Sequence, residues 1–411
     1  MVRTIVQRML RFFAVMRLTR DRPEVVAVTG SVGKTTTKEA IFSVLTKALG
    51  DRVFRSAGNM NTEEGLPLAI LGFDVVPTRW QYAAILLNAA FRAIFGHGRM
   101  NPIFVLELSA EKPGDIQYLT EIIRPWLKVG VITTIGPIHL NPGQFSSVAA
   151  IEGEKGKLIE VLPPDGWAVL NRTNPATKRM AKRTKAKIVW FTDKGIDTHA
   201  EIAKAVGKIY GMDKKDIDAA LKTFQRPYGR LNELAGVKGS VVIDDSYNAN
   251  PMSTQEALLV LEKRGLSGHP STEAQAFEAL RSLQALERGG SERSRMSQGR
   301  RIAVLGDMLE LGERERLFHQ QIGKFAKTKA DIIVGVGMRA RWYNPTYHFA
   351  TPLEAASFLK KFVHAGDTLL IKGSQSMRME LVSEVLLASP EDSDKLPRQT
   401  PAWKAKTFVQ P

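Results

Sequence analysis

The stretch VVAVTGSVGKTTTKEA, residues 25–40, decides how the chain folds. An unbroken apolar run, Val25 to Thr29, leads into Gly30-Ser31-Val32-Gly33-Lys34-Thr35, and helix-forming residues follow. An unbroken run of this kind is what a strand buried on both faces requires. A glycine-rich turn opening a helix presents backbone N–H groups and the positive helix end to an anion. In such a loop the lysine reaches the β- and γ-phosphates and the following Thr ligates Mg²⁺. The general G-x-x-x-x-G-K-[ST] pattern asks for glycine where Val28 stands, so the loop keeps only the shorter T-G-x-x-G-K-T-T form. Nucleotide phosphates are therefore expected at Gly30, Ser31, Gly33, Lys34, Thr35 and Thr36.

Outward from this loop, short β-branched runs alternate with helical stretches, the pattern of a parallel α/β sheet. Strands are expected at 25–29, 103–108, 129–133, 167–170, 187–191, 241–245, 301–306, 331–337 and 368–373. Helices are expected near 35–48, 115–123, 147–161, 199–209, 214–224, 253–263, 315–328, 352–363 and 376–387. A hinge-like break, RPYGRLNELAGVKGS, divides a phosphate-loop domain at 25–229 from a smaller Rossmann-like α/β domain at 230–388. Two insertions interrupt the alternation, an apolar one at 74–100 and a Gly/Ser/Arg-rich flexible one at 265–300. The proline-bearing tail, 389–411, is expected to be loose.

The 411 residues contain no cysteine, which excludes disulfides, thiolate metal sites and a catalytic thiol. A balance of 58 Lys+Arg against 42 Asp+Glu gives +16 and favours anionic partners. Residues 1–24 carry Arg3, Arg8, Arg11, Arg17, Arg20 and Arg22 around an apolar side formed by Ile5, Met9, Phe12, Phe13 and Met16. That is the pattern of an interfacial helix, and residues 80–95 form a second apolar segment too short to span a bilayer. Both segments are expected to pack on the protein's own body or to touch a membrane surface.

Seven further segments occur in order: GNMNTEEGLP (58–67), VLELSAEKPGDI (105–116), VITTIGPIHL (131–140), EGEKGKLI (152–159), DDSYNANPMS (244–253), VLGDMLELG (304–312) and KGSQSMRME (372–380). With the loop they resemble the Mur ligases, and within them the branch that adds D-alanyl-D-alanine to a UDP-muramoyl tripeptide. The resemblance implies ATP-dependent conversion of a carboxylate into an acyl phosphate, which an amine attacks to give an amide, ADP and phosphate. It implies Thr35 and Glu107 on one Mg²⁺, with His139 and a carbamylated Lys155 on a second. Lys34, Glu107, His139 and Lys155 would then form the catalytic set. Lys157 is the neighbouring lysine most easily mistaken for the modified one. The resemblance places Arg230, Asp245, Tyr247, Asn248 and Asn250 on ATP. It places Asn59, Asn61, Lys372, Gly373, Ser374 and Arg378 near the substrates. Asp307, Glu310 and His319 read as caps or solvated positions and stay outside the catalytic list.

Only 24 residues precede Val25. The domain that holds the UDP-sugar in this family is therefore expected to be absent, which leaves three explanations open: a different or lipid-linked donor, a partner that supplies the function, or the insertion at 74–100 in its place. A polyglutamate-type synthetase is a separate alternative. A basic nucleic-acid ATPase would suit the charge, but no aromatic-interleaved basic patch supports it. A non-catalytic ATP-binding scaffold at a membrane would not need the intact Lys34, Thr35, Glu107, His139 and Lys155. A monomeric cytoplasmic enzyme, peripheral at the inner membrane face and without nucleic acid, is the expectation.

Overall fold

A computed structural model describes residues 2–58, 60–75, 81–95, 102–267 and 299–411. The chain divides into two compact units, Met1–Gln225 and Arg226–Pro411.

The first unit begins with helix α1 (Val2–Asp21), strand β1 (Glu24–Thr29), helix α2 (Lys34–Leu49) and strand β2 (Val53–Arg55). Helices α3 (Gly65–Ile70) and α4 (Tyr82–Phe95), β3 (Ile103–Glu107), α5 (Asp115–Ile123) and β4 (Leu127–Ile132) follow. The unit closes with α6 (Val148–Glu160), β5 (Trp167–Asn171), α7 (Pro175–Met180), β6 (Lys187–Phe191), α8 (Thr198–Ile209) and α9 (Lys214–Lys222). The six strands form a parallel sheet in the order β2-β3-β1-β4-β5-β6. Period-two alternation divides its side chains between two cores. Val25, Ala27, Phe104 and Leu106 meet α1, α3, α4, α5, α6 and α7 on one face. Val26, Val28, Val105 and Val131 meet α2, α8 and α9 on the other. Burial on both faces is why these strands are legible as apolar runs.

In the second unit, β7 (Asn232–Ala235), β8 (Val241–Asp245), α10 (Pro251–Ser267), β9 (Arg301–Gly306) and α11 (Glu315–Ala326) come first. Then come β10 (Ile332–Val336), β11 (Tyr347–Phe349), α12 (Pro352–Phe362), β12 (Thr368–Lys372), α13 (Glu380–Leu386) and the short α14 (Pro401–Lys404). The sheet order is β11-β10-β9-β12-β8-β7, parallel except for the β7–β8 pair. Both units are α/β, as expected.

The differences from expectation have local causes. Strands β2, β7 and β11 are edge strands of three or four residues, too short to show a period. The helix expected at 376–387 is broken because Arg378 adopts φ 53, so a 3₁₀ turn at Gln375–Met377 precedes α13. The expectation of a loose tail is overturned. Residues Pro390–Lys395 form a 3₁₀ helix, Leu396 joins the core and the Arg398 side chain is only 3% exposed. Its anchoring charge pairs lie far away in sequence, where periodicity cannot reveal them. The flexible segment expected at 265–300 falls mostly outside the described residues.

Candidate functional site

The phosphate loop leaves the carboxyl end of β1, between β3 and β4. Gly30 has φ 148, and a Cβ there would sit 2.0 Å from Thr133 Oγ1, so only glycine fits. Gly33, at φ 79, is the left-handed residue from which α2 starts. Neighbouring hydroxyls brace the turn: Ser31 Oγ donates to Gly136 O at 3.0 Å, and Thr133 Oγ1 donates to Val32 O at 2.6 Å. Ser31 is thus committed to the fold, although sequence reasoning assigned it to phosphate. Lys34 Nζ folds back onto Gly30 O at 3.0 Å, which holds its ammonium over the loop. Thr35 and Thr36 are half-buried in the first turn of α2.

Beside the loop, Glu107 ends β3 and is 2% exposed. Its Oε1 accepts a hydrogen bond from Asn61 Nδ2 at 2.8 Å, while its buried Oε2 has no partner. Lys155, on α6, is fully buried, and its Nζ also has no partner. Burial, reinforced by the Lys34 ammonium, pushes the Lys155 pKa far down despite Glu154, Asp115 and Glu107. Lys157 differs in every respect. It is half exposed and donates to Glu154 Oε2 at 2.8 Å and Gln117 Oε1 at 3.2 Å. Glu154 in turn accepts from the N–H groups of Ile116 and Gln117 at the start of α5. Burial raises its pKa, but Lys157 and these N–H groups prevail and hold it low.

His139 stands in the loop after β4, half-buried, with backbone φ 52. Asn59 lies outside the described residues. Among the described residues, no three His, Asp or Glu side chains are spaced to share a metal ion. Mg²⁺ demands oxygen ligands, and an amine nitrogen is a poor one. Of the residues expected on metal, Thr35 and Glu107 offer oxygen donors, whereas His139 and unmodified Lys155 offer nitrogen. Glu107 Oε2 and Lys155 Nζ are both buried without hydrogen-bond partners.

The second unit treats its charges differently. Lys372 Nζ, 2% exposed, binds Asp245 Oδ2 at 2.6 Å and Asn248 O at 2.8 Å. Burial pushes the Asp245 carboxyl up, and the Lys372 ammonium works against it. Ser374 Oγ accepts from Leu309 N at 2.8 Å, and Asn250 caps α10 by accepting from Ser253 N at 3.0 Å. At Gly373 a Cβ would meet Met379 Cγ at 2.5 Å. Arg230 lies 4.3 Å from the Tyr247 ring centroid. Arg378 donates from Nε to Glu380 Oε1 at 2.5 Å and from Nη1 to Lys406 O at 3.1 Å, so its guanidinium is occupied internally. Sequence reasoning missed Arg398. It holds the other Glu380 oxygen at 2.7 Å and binds Ser246 O and Tyr247 O, the latter at 2.6 Å. The loop that carries Tyr247 is thus clamped by the tail. His319 is structural: its Nε2 accepts from Met308 N, which leaves Nδ1 to donate to Glu315 O, and burial lowers its pKa to about 4.

A phosphate loop on a six-stranded parallel sheet, followed by a second α/β unit, defines a nucleotide-binding class, and the comparisons narrow it. Residues 28–231 match the family described as Mur ligase middle domain. The chain is 27% identical to the UDP-N-acetylmuramoyl-tripeptide–D-alanyl-D-alanine ligase of Mycobacterium leprae, covering 88% of this chain and 73% of that protein. The crystal structure of MurF ligase from Thermotoga maritima in complex with ADP is 25% identical, with TM-score 0.67, covering 95% of this chain and 84% of that one. MurF from Acinetobacter baumannii shares the fold at TM-score 0.69 and 24% identity, over 92% of this chain and 79% of that chain. The chain carries a Mur ligase middle domain over residues 28–231.

Proposed function

We propose that this chain is an ADP-forming carboxylate–amine ligase that adds D-alanyl-D-alanine to a UDP-muramoyl tripeptide or a closely similar anionic donor. The observation that carries the reading is the phosphate loop beside two buried, unpartnered atoms, Glu107 Oε2 and Lys155 Nζ. In the reaction a donor carboxylate oxygen attacks the γ-phosphorus, and the bond to the ADP oxygen breaks to leave an acyl phosphate. The amine nitrogen then attacks the acyl carbon, phosphate departs and one proton is lost.

The loop N–H groups and Lys34 hold the phosphates in line. Thr35 and Glu107 would hold one Mg²⁺, with Asn61 fixing the Glu107 carboxylate. His139 and Lys155 would hold the second, Lys155 after its neutral amine adds CO₂ and sheds a proton. Bound Mg²⁺ neutralises charge spread over the transferring phosphoryl group. Asn59 and Asn61 face the donor in this reading. Arg230, Asp245, Tyr247, Asn248 and Asn250 take the nucleoside. Lys372, Ser374 and Arg378 act on the substrates by holding the loops that touch them, through Asp245, Leu309 N and Glu380, and Gly373 lets that loop pack against Met379. The enzyme is read as a cytoplasmic monomer that meets the inner membrane face through residues 1–24 and 80–95, with no nucleic acid partner.

Incubation with ATP, Mg²⁺, D-alanyl-D-alanine and UDP-muramoyl tripeptide should yield ADP and a new amide in equal amounts. ATP hydrolysis stimulated by nucleic acid, with no amide formed, would overturn the reading.

A further inference from the structure

Helices α1 and α4 lie side by side in the layer that covers one face of the first unit's sheet. The inner side of α1, Val6, Leu10, Ala14 and Leu18, and the inner side of α4, Ala89 and Ala93, enter a single core. Arg20 of α1 ties them further, donating to Arg92 O at 3.2 Å and Ala93 O at 2.9 Å. Their outer sides point away from the sheet. There α4 leaves Leu87, Phe91, Ile94 and Phe95 at 75%, 62%, 50% and 65% exposure, and α1 leaves Ile5 and Phe12 at 53% and 62%. Phe12, Phe91 and Phe95 are the only exposed phenylalanines among the described residues. A helix on a water-facing surface ordinarily carries polar residues outward, and α4 has on that side only Asn88.

The charge around this face selects its occupant. Arg8 stands exposed one turn from Ile5 and Phe12 on the same side of α1, whereas Arg11 is paired with Glu121, and Arg17 and Arg20 with Asp21. A second copy of a chain with net charge +16 would bring like charge to an already basic face. No helix among the described residues is long and apolar enough to cross a membrane. An apolar stripe with an exposed arginine beside it, on a strongly basic chain, suits a surface whose polar layer is anionic and whose interior is hydrocarbon.

From this we infer that the outer face of α1 and α4 docks the protein on a bilayer rich in anionic phospholipid. Leu87, Phe91, Ile94 and Phe95 enter the acyl boundary, and Arg8 meets the lipid phosphates. The inference rests on the peripheral reading of residues 1–24 and 80–95 and names the face and the lipid charge. It does not depend on which bond the protein forms, because vesicle binding and amide formation are read separately.

The full chain is sedimented with vesicles of equal parts phosphatidylglycerol and phosphatidylcholine, and with vesicles of phosphatidylcholine alone. Binding to the mixed vesicles, weakened about tenfold or more in the Leu87→Gln/Phe91→Gln/Phe95→Gln variant and by high salt, is the expected result. These outward positions leave the core intact, which an unchanged melting curve would verify. Arg8→Glu offers a second variant, expected to weaken binding to the mixed vesicles several-fold. Equal binding to both vesicle types would overturn the anionic-lipid assignment. Absence of vesicle binding would overturn the docking, whether the protein is a monomer or a dimer that the triple variant dissolves.

Discussion

The two units hold the buried cations of the candidate site differently. Around the phosphate loop, Lys155 Nζ and Glu107 Oε2 are buried without partners. In the second unit every buried cation of the candidate site is met by the protein's own carboxylate: Lys372 by Asp245, and Arg378 and Arg398 by the two oxygens of Glu380. A polar atom left unpaired in a low-dielectric interior is costly, and the second unit keeps some too, Asp244 Oδ2, Asp307 Oδ2 and Arg398 Nε among them, but there each cation has a carboxylate. A paired charge is already spent on geometry. In our reading, chemistry falls to the first unit through Lys155, and positioning to the second through the paired Lys372, Arg378 and Arg398.

The sharpest way to break this comparison is at Lys155. Lys155→Ala is expected to lower ligase turnover about 10²- to 10³-fold, with partial recovery on adding short carboxylates that can lend the missing oxygen anion. Wild-type turnover in that variant would remove the chemical role from the first unit.

Next in size is a pH effect in the second unit. Asp244 is buried beside Asp245 and Glu380, and burial lifts its pKa to about 7 from 3.8, despite a hydrogen bond from Ser383. The folded state therefore keeps a proton that the unfolded chain releases in this interval. Stability is expected to fall by up to about 4 kcal/mol as pH rises from ~4 to ~7, and then to level off. Asp244→Asn, neutral throughout, should flatten that slope in urea titrations at several pH values. A slope that survives the substitution would place its origin elsewhere.

Arg398→Ala should cost about 3 kcal/mol, since it strips one partner from a buried carboxylate and releases the 246–247 loop. If the tail positions the nucleotide loop, KM for ATP should rise while kcat changes little, and Arg398→Lys should recover part of both. Lost stability with an unchanged KM would leave Arg398 a purely structural residue. The smallest effect belongs to Lys157→Ala, which removes one half-exposed ion pair worth under about 0.5 kcal/mol and should leave turnover within a few-fold of wild type. A collapse of activity there would exchange the roles of the two lysines.

Much of this was legible in one dimension, and the boundary of legibility is physical. Strands buried on both faces declare themselves as apolar runs, and Gly30 and Gly33 declare a turn that only glycine tolerates. The edge strands β2, β7 and β11 bury too little to leave a pattern. Arg398 was hidden because its partners stand 18 and more residues away, beyond any helical or strand period. The same limit applies to Arg378, whose motif suggested a substrate contact, whereas its guanidinium is taken up by Glu380 and the tail.

By itself, then, the sequence determined the α/β class, the phosphate loop and the types of residue available for phosphoryl transfer, because these follow from local sterics, periodicity and motif order. The motif resemblance singled out Lys155, and the tertiary structure supplied the physical difference from Lys157. Both lie on one helix in one charged motif, but the packing of α5 and α6 buries the first and gives the second to Glu154. It likewise decided that the tail is part of the second unit and that the outer face of α1 and α4 is apolar, since burial belongs to the fold and not to the chain.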